Sequence, residues 1–292
     1  MKIIILGKGY VGSALIECLS ASHDDVTLLS KNDVDYTNNS VLMEYISDRY
    51  CKDMWVINTS GYTGRPNVDA CEDNKDDTWY YNVNVPVNIA SVCEQTGANY
   101  IHVSSGCIYD GYSKKFTEID EPNFGILSDE SSWYSKTKHA AELSLCKTAA
   151  HIFRIRMPFC STWSQRNVLT KLYKYDNVIN CTNSLTNLED FCSFILYYIN
   201  SKEVKPGVYN VVNPGALPTS EILYMLTKHG IINPLWNQIT LDELYKTTKA
   251  KRSNCVLSDK KIESMNLQLP DTLSSLDRCC RSMRTTKHLY DH

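Results

Sequence analysis

The sequence predicts an α/β fold with a doubly wound parallel sheet and a smaller, mostly helical region toward the carboxyl terminus. Short apolar runs recur at helix-sized intervals as far as residue 212, and alternating strands and helices form a parallel sheet with helices on both faces. A glycine-rich turn follows the first apolar run directly. After about Pro214 the strand pattern fades, and the remainder is polar and interrupted by prolines.

The predicted strands are short β-branched or apolar runs, which suit strands buried on both faces. They are Lys2 to Leu6, Val26 to Leu29, Met54 to Asn58, Tyr100 to Val103, His151 to Arg156 and Val208 to Val212. The predicted helices between them are Val11 to Leu19, Ser40 to Tyr50, Val83 to Gln95, Ser135 to Lys147 and Leu188 to Ile199. We therefore predict a sheet domain from residues 1–157 and 180–215, and a subdomain from residues 158–179 and 216–292.

Composition limits the kinds of partner. The 292 residues carry a formal net charge of −3, with 43% hydrophobic and 22% charged residues, as in an ordinary globular protein. Nothing resembles the clustered positive charge that nucleic acid requires. The best apolar stretch, Phe191 to Ile199, is about half of the roughly 20 residues that cross a membrane. We expect neither a nucleic-acid nor a membrane partner.

The cysteines indicate a reducing compartment. The chain has 12 of them, with no C-x-x-C pair and no Cys/His cluster at zinc spacing. The amino terminus has too short an apolar region for a secretion signal, so we expect reduced thiols in a cytoplasmic protein. Most should be small core residues, and no metal is expected.

The glycine turn predicts a dinucleotide site. G-x-G-x-x-G stands between a predicted strand and helix, where the first glycine makes a tight turn, the second lets a pyrophosphate approach and the third lets helix and strand pack. Glycines that merely shape a turn are the alternative. The predicted cofactor-binding residues of this turn are Gly7, Lys8, Gly9, Tyr10, Val11 and Gly12.

The end of the second strand favours NADPH, with NADH possible. An NAD site usually has Asp or Glu here, but this strand ends in Ser30 and Lys31. A cation at this position suits the extra phosphate of NADP. An ordinary solvated lysine is the alternative for Lys31, and Asp35 follows closely as a further candidate.

A tyrosine and a lysine supply the candidate catalytic groups. Tyr134 and Lys138 are spaced i and i+4, so they share a helix face. An ammonium beside a phenol is expected to lower the pKa of Tyr134 and to make it a proton donor and acceptor. Ser105, just past a predicted strand, can hold the same carbonyl oxygen. Glycine turn, Ser and Tyr-x-x-x-Lys in this order resemble the extended short-chain dehydrogenase/reductase family, with its Rossmann fold; a coincidental exposed helix face is the alternative.

Longer segments carry a closer resemblance over almost the whole chain. They are Asn58 to Asp69, Gly106 to Tyr109, Pro122 to Phe124, Tyr134 to Lys138, Arg154 to Pro158, Arg166 to Lys171, Arg252 to Asn254 and Asp259 to Lys260. Together they resemble the bifunctional UDP-4-keto-6-deoxy-glucose 3,5-epimerase/4-reductases of UDP-rhamnose synthesis. The glycine turn is one residue shorter than the family's usual G-x-x-G-x-x-G, and Ser105 stands where relatives often have Thr.

This resemblance implies a two-stage reaction on UDP-4-keto-6-deoxy-glucose. Cys107 and Lys171 would serve as the epimerisation pair at carbons 3 and 5, and a nicotinamide hydride would then reduce carbon 4 while Tyr134 supplies the proton. Cys107 lies two residues beyond Ser105 and so faces the same side of an extended segment. Simple packing is the alternative for Cys107, and a solvated helix charge for Lys171.

The same resemblance implies that residues 1–157 and 180–215 bind NADP and that the subdomain binds the nucleotide sugar. Further cofactor-binding candidates are Ser60, Tyr62 and Asn84. Candidate substrate-binding residues are Arg65, Asn67, Asn123, Arg166, Asn167 and Arg252. Arg252 could neutralise a pyrophosphate, although an ordinary surface charge is the alternative for the arginines.

Other functions stay open at this point. The chain could be a 4-reductase alone, of the dTDP-4-dehydrorhamnose reductase type, or a GDP-fucose-type epimerase/reductase, in which a histidine usually partners the cysteine. A non-catalytic NADP-binding regulatory subunit is the third alternative, and the presence of Ser105, Tyr134 and Lys138 argues against it. A homodimer is expected from the superfamily.

Overall fold

A computed structural model describes residues 1–201, 203–233 and 235–290, so positions 202, 234, 291 and 292 of the predicted domains lie outside the described residues. The strands are β1 (Ile3–Leu6), β2 (Val26–Leu29), β3 (Trp55–Asn58), β4 (Asn99–Ser105), β5 (Gly111–Phe116), β6 (Ala150–Ile155), β7 (Pro158–Phe159), β8 (Asn177–Ile179), β9 (Thr182–Asn183), β10 (Thr186–Asn187), β11 (Gly207–Asn210), β12 (Leu217–Pro218), β13 (Asn237–Ile239) and β14 (Cys255–Leu257).

Helices connect these strands. They are α1 (Tyr10–Leu19), α2 (Asn39–Ser47), α3 (Ala70–Asp73), α4 (Lys75–Trp79), α5 (Val85–Thr96), α6 (Trp133–Leu145), α7 (Val168–Lys174), α8 (Leu188–Asn200), α9 (Thr219–Lys228), α10 (Leu241–Tyr245), α11 (Lys260–Ser264) and α12 (Thr272–Tyr290). A π-helical turn (Tyr80–Asn84) precedes α5, and a 3₁₀ turn (Gly106–Ile108) follows β4.

The central sheet confirms the predicted fold class. Its six strands run in the order β2-β1-β3-β4-β6-β11, and every neighbouring pair is parallel. These are the six predicted strands, shifted by no more than two residues at their ends. They were predictable because β1, β3 and β6 are buried along their whole length and are mainly apolar, with Asn58, His151 and Arg154 as the polar exceptions.

The expectation that strands end near Pro214 is wrong. Three short strands follow it: β12 pairs with β9, β13 with β8, and β14 with β5. Each contains only two or three residues. Strands this short show no periodic hydrophobic pattern, and their partners lie far away in the sequence.

Helices cover both faces of the central sheet. On one face Leu15 of α1 and Phe191 of α8 pack in the same buried cluster as Phe153 of β6. On the other face Leu42 of α2 and Ile89 of α5 pack against the sheet. Removing side chains of this size from water contributes roughly 1.5–3 kcal/mol each. The apolar stretch of α8 is thus a core face; among the described helices, none combines the length and hydropathy needed to cross a membrane.

A third buried cluster lies in the carboxyl-terminal part of the chain. It joins α7, α9 and α12 through Leu169, Leu226 and Leu276. Ile262 of α11 instead packs in the cluster that contains Phe191, on the central sheet. The division into a cofactor domain and a substrate subdomain stays a prediction. Ile262 belongs to the predicted subdomain but packs on the sheet domain, so this packing crosses the predicted boundary at residue 215.

The sheet order brings the candidate residues to one edge. The order reverses between β1 and β3, and ligands of open parallel sheets bind beyond the carboxyl ends of the strands at such a reversal. The glycine turn follows β1, Ser60 lies just beyond β3, and Cys107 lies just beyond β4. Arg156 follows β6 at the same edge.

Candidate active site

The glycine turn has the shape that a dinucleotide pyrophosphate needs. Gly7 has φ +107°, and a Cβ there would lie 2.8 Å from the Ser60 backbone N. A Cβ on Gly12 would lie 2.0 Å from the Gly7 carbonyl oxygen, so the helix could not approach the strand as closely. At Gly9, the N-cap of α1, a Cβ would meet nothing within 4 Å. The open space above Gly9 and the positive end of α1 therefore fit an approaching phosphate.

Two lysines and an aspartate shape the loop after β2. Asp33 Oδ2 accepts hydrogen bonds from the Ser30 N and Oγ, both at 2.7 Å, and pairs with Lys8 Nζ at 2.9 Å. These bonds, those of Ser30 first, hold the pKa of Asp33 well below its usual range. Lys31 Nζ donates to the Tyr81 hydroxyl at 3.2 Å. Lys8, Ser30 and Lys31 thus lie together, as predicted for cofactor candidates, and their roles stay predictions.

The remaining acidic candidate of this loop has a local partner. Asp35 Oδ1 accepts from the Thr37 N at 3.2 Å and from its Oγ1 at 2.5 Å. These hydrogen bonds lower the pKa of Asp35. Its predicted role at the cofactor remains untested.

Asn82 joins the loop after β3 to α6, and sequence analysis missed it. Its Oδ1 accepts from the Tyr62 N at 2.7 Å, and its Nδ2 donates to the Tyr62 O at 2.9 Å and to Thr137 Oγ1 at 3.1 Å. Asn82 is 1% exposed, whereas the predicted Asn84 is exposed. Asparagine in a helical run gives no signal of burial, so the sequence could not separate the two.

Ser60 lies where β1 and β3 meet. Asn58 Oδ1 accepts hydrogen bonds from the Ser60 N at 2.9 Å and Oγ at 2.6 Å. Thr59 Oγ1 bonds the carbonyl oxygens of Leu6 and Gly7, both at 3.0 Å. These contacts fix the backbone that faces the glycine turn, so Ser60 is placed beside the predicted cofactor site.

Tyr134 and Ser105 meet as predicted, at the amino terminus of α6. Ser132 caps this helix by accepting from the Ser135 N at 3.2 Å. The Tyr134 phenol lies beside the Ser105 hydroxyl at the end of β4. Burial, with the neighbouring Cys107, raises the pKa of Tyr134, and the Ser105 hydroxyl opposes that rise only in part. The expectation that Lys138 lowers this pKa is wrong, because loss of water around the phenol outweighs its neighbours.

Lys138 is buried beneath the tyrosine, and its Nζ donates to the Val103 carbonyl at 3.3 Å. Burial lowers the pKa of Lys138 to about 8, although Glu142, one turn along α6, opposes this. Glu142 itself accepts from Arg154 Nη2 at 2.7 Å and from Ser104 Oγ at 2.5 Å. Lys138 is therefore mostly protonated at neutral pH and loses its proton as the pH rises through about 8. The ion pair between Glu142 and Arg154 is buried beside it.

Cys107 lies beside both Ser105 and a buried arginine. Its backbone N donates to Ser105 Oγ at 3.2 Å, and its Sγ accepts from Arg156 Nη1 at 2.7 Å. Burial lowers the pKa of Lys171 on α7, Arg166 and then Arg252 add to this effect, and the charge of Cys107 opposes it. Cys107 and Lys171 thus lie near enough to interact electrostatically. Lys171 is partly buried, and its catalytic role stays a prediction.

Two of the candidate substrate arginines tie the loop after β3 to later parts of the chain. Arg166 Nη2 donates to the Gly64 carbonyl at 2.8 Å, and Arg252 Nη1 pairs with Asp69 Oδ1 at 2.9 Å. Asn67 Oδ1 accepts from the Asp69 N at 2.8 Å. Arg65, on the same loop, is exposed.

The other two candidates have structural partners. Asn167 is 0% exposed, caps α7 by accepting from the Leu169 N at 3.1 Å, and donates to the Cys160 O at 2.8 Å. Asn123 is exposed and bonds both the backbone N and O of Asp110, at 2.9 and 2.8 Å. All substrate-binding roles stay predictions, and for these two the structure provides a loop-stabilising role.

A family model and several known proteins match this chain. The family described as RmlD substrate binding domain matches residues 1–284. A bifunctional dTDP-4-dehydrorhamnose 3,5-epimerase/dTDP-4-dehydrorhamnose reductase of Arabidopsis thaliana is 34% identical over 229 residues, which cover 75% of this chain and 72% of that protein. The trifunctional UDP-glucose 4,6-dehydratase/UDP-4-keto-6-deoxy-D-glucose 3,5-epimerase/UDP-4-keto-L-rhamnose-reductase of the same plant is 35% identical over 231 residues. That match covers 75% of this chain and only 33% of the longer relative.

A solved structure matches over nearly the full length. The crystal structure of the UDP-rhamnose synthase of Acanthamoeba polyphaga mimivirus has a TM-score of 0.87 to this chain at 25% identity. The match covers 97% of this chain and 99% of that one. The resemblance predicted from the sequence is therefore confirmed.

Proposed function

The chain belongs to the RmlD substrate binding domain family, and on that premise we propose that it is an NADPH-dependent nucleotide-sugar epimerase/reductase. Its substrate is UDP-4-keto-6-deoxy-D-glucose, which it inverts at carbons 3 and 5 and reduces at carbon 4 to give UDP-L-rhamnose. Two relatives with epimerase and reductase activity in their names support both stages. The assignment to the oxidoreductases that reduce 4-keto-rhamnose nucleotides rests on membership of the family alone.

Three reactive side chains meet where β4 ends, and this convergence carries the proposal. The Tyr134 phenol lies beside Ser105, and Ser105 Oγ accepts a hydrogen bond from the backbone N of Cys107 at 3.2 Å. A carbonyl oxygen held by two hydroxyls would place its neighbouring carbons beside a thiol. One substrate position could thus serve both proton transfer at carbon and reduction of the ketone.

For reduction, the residues around the glycine turn hold the cofactor and α6 supplies the proton. NADPH, when bound, supplies a hydride. Gly7, Gly9 and Gly12 leave room for its pyrophosphate, and Lys31, which follows β2, is the candidate contact for the extra phosphate of NADP. Tyr134 donates its proton to the carbon 4 oxygen; its raised pKa keeps the phenol protonated, which is the form that reduction consumes.

For epimerisation, the carbon 4 ketone acidifies the protons on carbons 3 and 5. Inversion needs a base on one face of the ring and an acid on the other. Cys107 and Lys171 are the candidate pair, since their charges interact across the site. Ser105 and Tyr134 donate hydrogen bonds to the oxygen as it becomes an enolate, which stabilises the developing charge.

Purified chain, NADPH and UDP-4-keto-6-deoxy-glucose provide the test. Absorbance at the nicotinamide band follows oxidation, and NMR identifies the sugar product. We expect NADPH loss together with UDP-L-rhamnose. Oxidation that occurs only with sugar already inverted at both carbons would leave the 4-reductase alone, and no oxidation with either sugar would leave a binding module. Running the dTDP-linked sugar in parallel tests the nucleotide.

Oligomeric state is part of the same proposal, since a homodimer is expected. Most of α6 is buried within the chain, and its Leu143 is 49% exposed. Light scattering on the purified chain measures the mass directly, and a mass of one chain would exclude the dimer.

A further inference from the structure

Two buried arginines close together on one strand end have different partners. Arg154 and Arg156 are each 3% exposed. Arg154 donates to Glu142 from Nε and from Nη2, at 2.9 and 2.7 Å, so its charge is balanced. Within residues 1–201, 203–233 and 235–290, no carboxylate forms a hydrogen bond or ion pair with Arg156.

Arg156 instead bonds neutral groups and a thiol. Its Nη2 donates to Asn183 Oδ1 at 2.6 Å and to the Ser253 carbonyl at 2.5 Å. Its Nη1 donates to Cys107 Sγ at 2.7 Å, and its Nε has no hydrogen-bond partner. The nearby carboxylate of Asp110 accepts from the Asn254 backbone N at 2.7 Å. The sulfur is therefore the one ionisable atom among the described hydrogen-bond partners of this guanidinium.

A buried guanidinium is costly when none of its hydrogen-bond partners is a carboxylate. Removing a charged group from water costs several kcal/mol unless an opposite charge and hydrogen bonds compensate. Neutral acceptors at Asn183 and Ser253 supply hydrogen bonds but no charge. A thiolate at 2.7 Å would supply both, and a cation beside cysteine is the setting in which thiolates form in proteins.

We propose that Arg156 is a positioning residue that holds Cys107 as a thiolate and thereby makes it the base of the epimerisation pair. This inference rests on the proposed function. The thiolate takes the proton from carbon, so the C–H bond breaks, an S–H bond forms and the electron pair moves onto the carbon 4 oxygen as an enolate. Lys171, as an ammonium, then gives a proton to the opposite face of the carbon and becomes an amine.

The surroundings of Lys171 suit a group that starts protonated and gives its proton away. Arg166 and Arg252 face it, and with burial they lower the pKa of its ammonium, which makes proton release easier. Proton exchange from the thiol back to the amine, through solvent, restores both groups before the second carbon is inverted. Arg156 keeps its proton throughout.

Several charged groups act on Cys107 besides Arg156, and they must be counted in any pH dependence. The titratable or charged groups that act with it are Tyr134 and Lys138 on α6, Arg156 after β6, Lys171 on α7 and Cys255 on β14. The carboxylate of Asp110 acts on Arg156 and Cys255, and its negative charge opposes a thiolate. Of these, only Arg156 donates a described hydrogen bond to the sulfur.

Alkylation by iodoacetamide, without substrate, tests the pairing. The wild-type chain is labelled from pH 6 to pH 10, and mass spectrometry quantifies the peptides that carry Cys107 and the exposed Cys146. We expect the rate at Cys146 to fall about tenfold per pH unit below its ionisation, while the rate at Cys107 stays nearly flat to about pH 6.5. Access changes the absolute rate of each thiol but not its pH dependence, so parallel profiles for the two cysteines would overturn the proposal.

Two variants sharpen the result. Arg156→Met should give Cys107 the pH profile of Cys146 and slow its alkylation about tenfold or more at pH 7, while Arg156→Lys keeps a charge and should retain most of the wild-type rate. An unchanged Cys107 profile in Arg156→Met would also overturn the proposal. If Arg156→Met fails to fold, the wild-type comparison decides alone. Alkylation is measured without substrate, so its result does not depend on the proposed function. Parallel alkylation profiles together with observed epimerisation would overturn only the pairing of Arg156 with Cys107. A flat Cys107 profile without epimerisation would overturn only the proposed function.

Discussion

The residues proposed for reduction and those proposed for epimerisation are held in place by different kinds of structure. Ser105, Tyr134 and Lys138 come from one strand and one helix, β4 and α6, that pack directly on each other. Cys107, Arg156 and Lys171 come from the ends of β4 and β6 and from α7. The first set is held by regular secondary structure, whereas the second depends on side-chain contacts between separate segments.

Their electrostatics differ in the same way. Around Lys138 there is a carboxylate, because Glu142 forms an ion pair with Arg154 at 2.7 Å and also opposes the fall in the pKa of Lys138. Around Cys107 and Lys171 the neighbours are mostly cationic: Arg156 at the thiol, and Arg166 and Arg252 near the amine. Excess positive charge favours anions, so this side suits an enolate, a thiolate and the pyrophosphate of a nucleotide sugar.

Removing the phenol hydroxyl should have the largest effect and should separate the two parts. Tyr134→Phe is expected to lower kcat for reduction about 10³-fold, because proton transfer of this kind contributes 10² to 10⁴. NADPH oxidation with the pre-inverted keto sugar measures it. Tyr197→Phe, at a tyrosine that is 67% exposed on α8, is the matched control. A loss of less than tenfold in Tyr134→Phe would remove this tyrosine as the proton donor.

Removing the thiol of Cys107 should slow epimerisation rather than reduction. Cys107→Ala is expected to slow deuterium uptake from D₂O at carbons 3 and 5 about 10²-fold, since it deletes one proton-transfer group. NMR of the sugar, without NADPH, measures that uptake. Cys146→Ala, at an exposed cysteine, controls for thiol loss in general. If reduction of the pre-inverted sugar falls as far as deuterium uptake, the two parts are not separable and Cys107 has a wider role.

The sequence was informative where a pattern repeats or a motif is local. Tyr134 and Lys138 were predicted because their spacing defines one face of a helix, and the glycine turn because it follows a buried strand. Arg156 received no role, although two arginines, Arg154 and Arg156, in an otherwise apolar run are a usable signal of buried charge. The hydrogen-bond partners of Arg156 lie up to 97 positions away, which no spacing rule reveals.

The direction of the Tyr134 pKa shift shows the same limit. A motif states which groups are neighbours but not how much water surrounds them. Here burial raises the pKa of the phenol and lowers that of Lys138, and both effects depend on the packing of β4 against α6. The pairing of β5 with β14, which positions Cys255 beside the site, was also missed. β14 has three residues, and β5 is exposed over four of its six residues, so neither forms a buried apolar run.

The pH dependence of reduction should be intermediate in size. Lys138 has a pKa of about 8 in the folded protein, so its ammonium is lost as pH rises through that value. We expect reduction to fall by up to about tenfold per pH unit above 8, if proton supply to Tyr134 uses this charge. Lys136→Met, on the same helix, should leave the profile unchanged, and a flat profile to pH 10 in the wild type would exclude Lys138 from proton supply.

Stability should change in the opposite sense over that window. The unfolded chain keeps Lys138 protonated up to its ordinary pKa of 10.5, so between pH 8 and 10.5 the unfolded state binds more protons. The contribution of this group to the free energy of unfolding therefore rises with pH. Thermal unfolding along the same pH series thus distinguishes loss of the ammonium from loss of the fold.

The smallest expected effect is that of replacing Lys31, at the edge of the predicted cofactor site. It should change cofactor binding, and therefore reduction, but not epimerisation. Lys31 is exposed and bonds the Tyr81 hydroxyl at 3.2 Å, so its contact with a 2′-phosphate would be open to solvent. Lys31→Ala should raise the Kd for NADPH only about threefold and leave that for NADH unchanged, because solvent screens exposed charges. Fluorescence titration with both nucleotides measures the ratio, with Lys52→Ala as the control at another exposed lysine. Deuterium uptake without NADPH should not change, and equal weakening of both nucleotides would remove Lys31 as the phosphate contact.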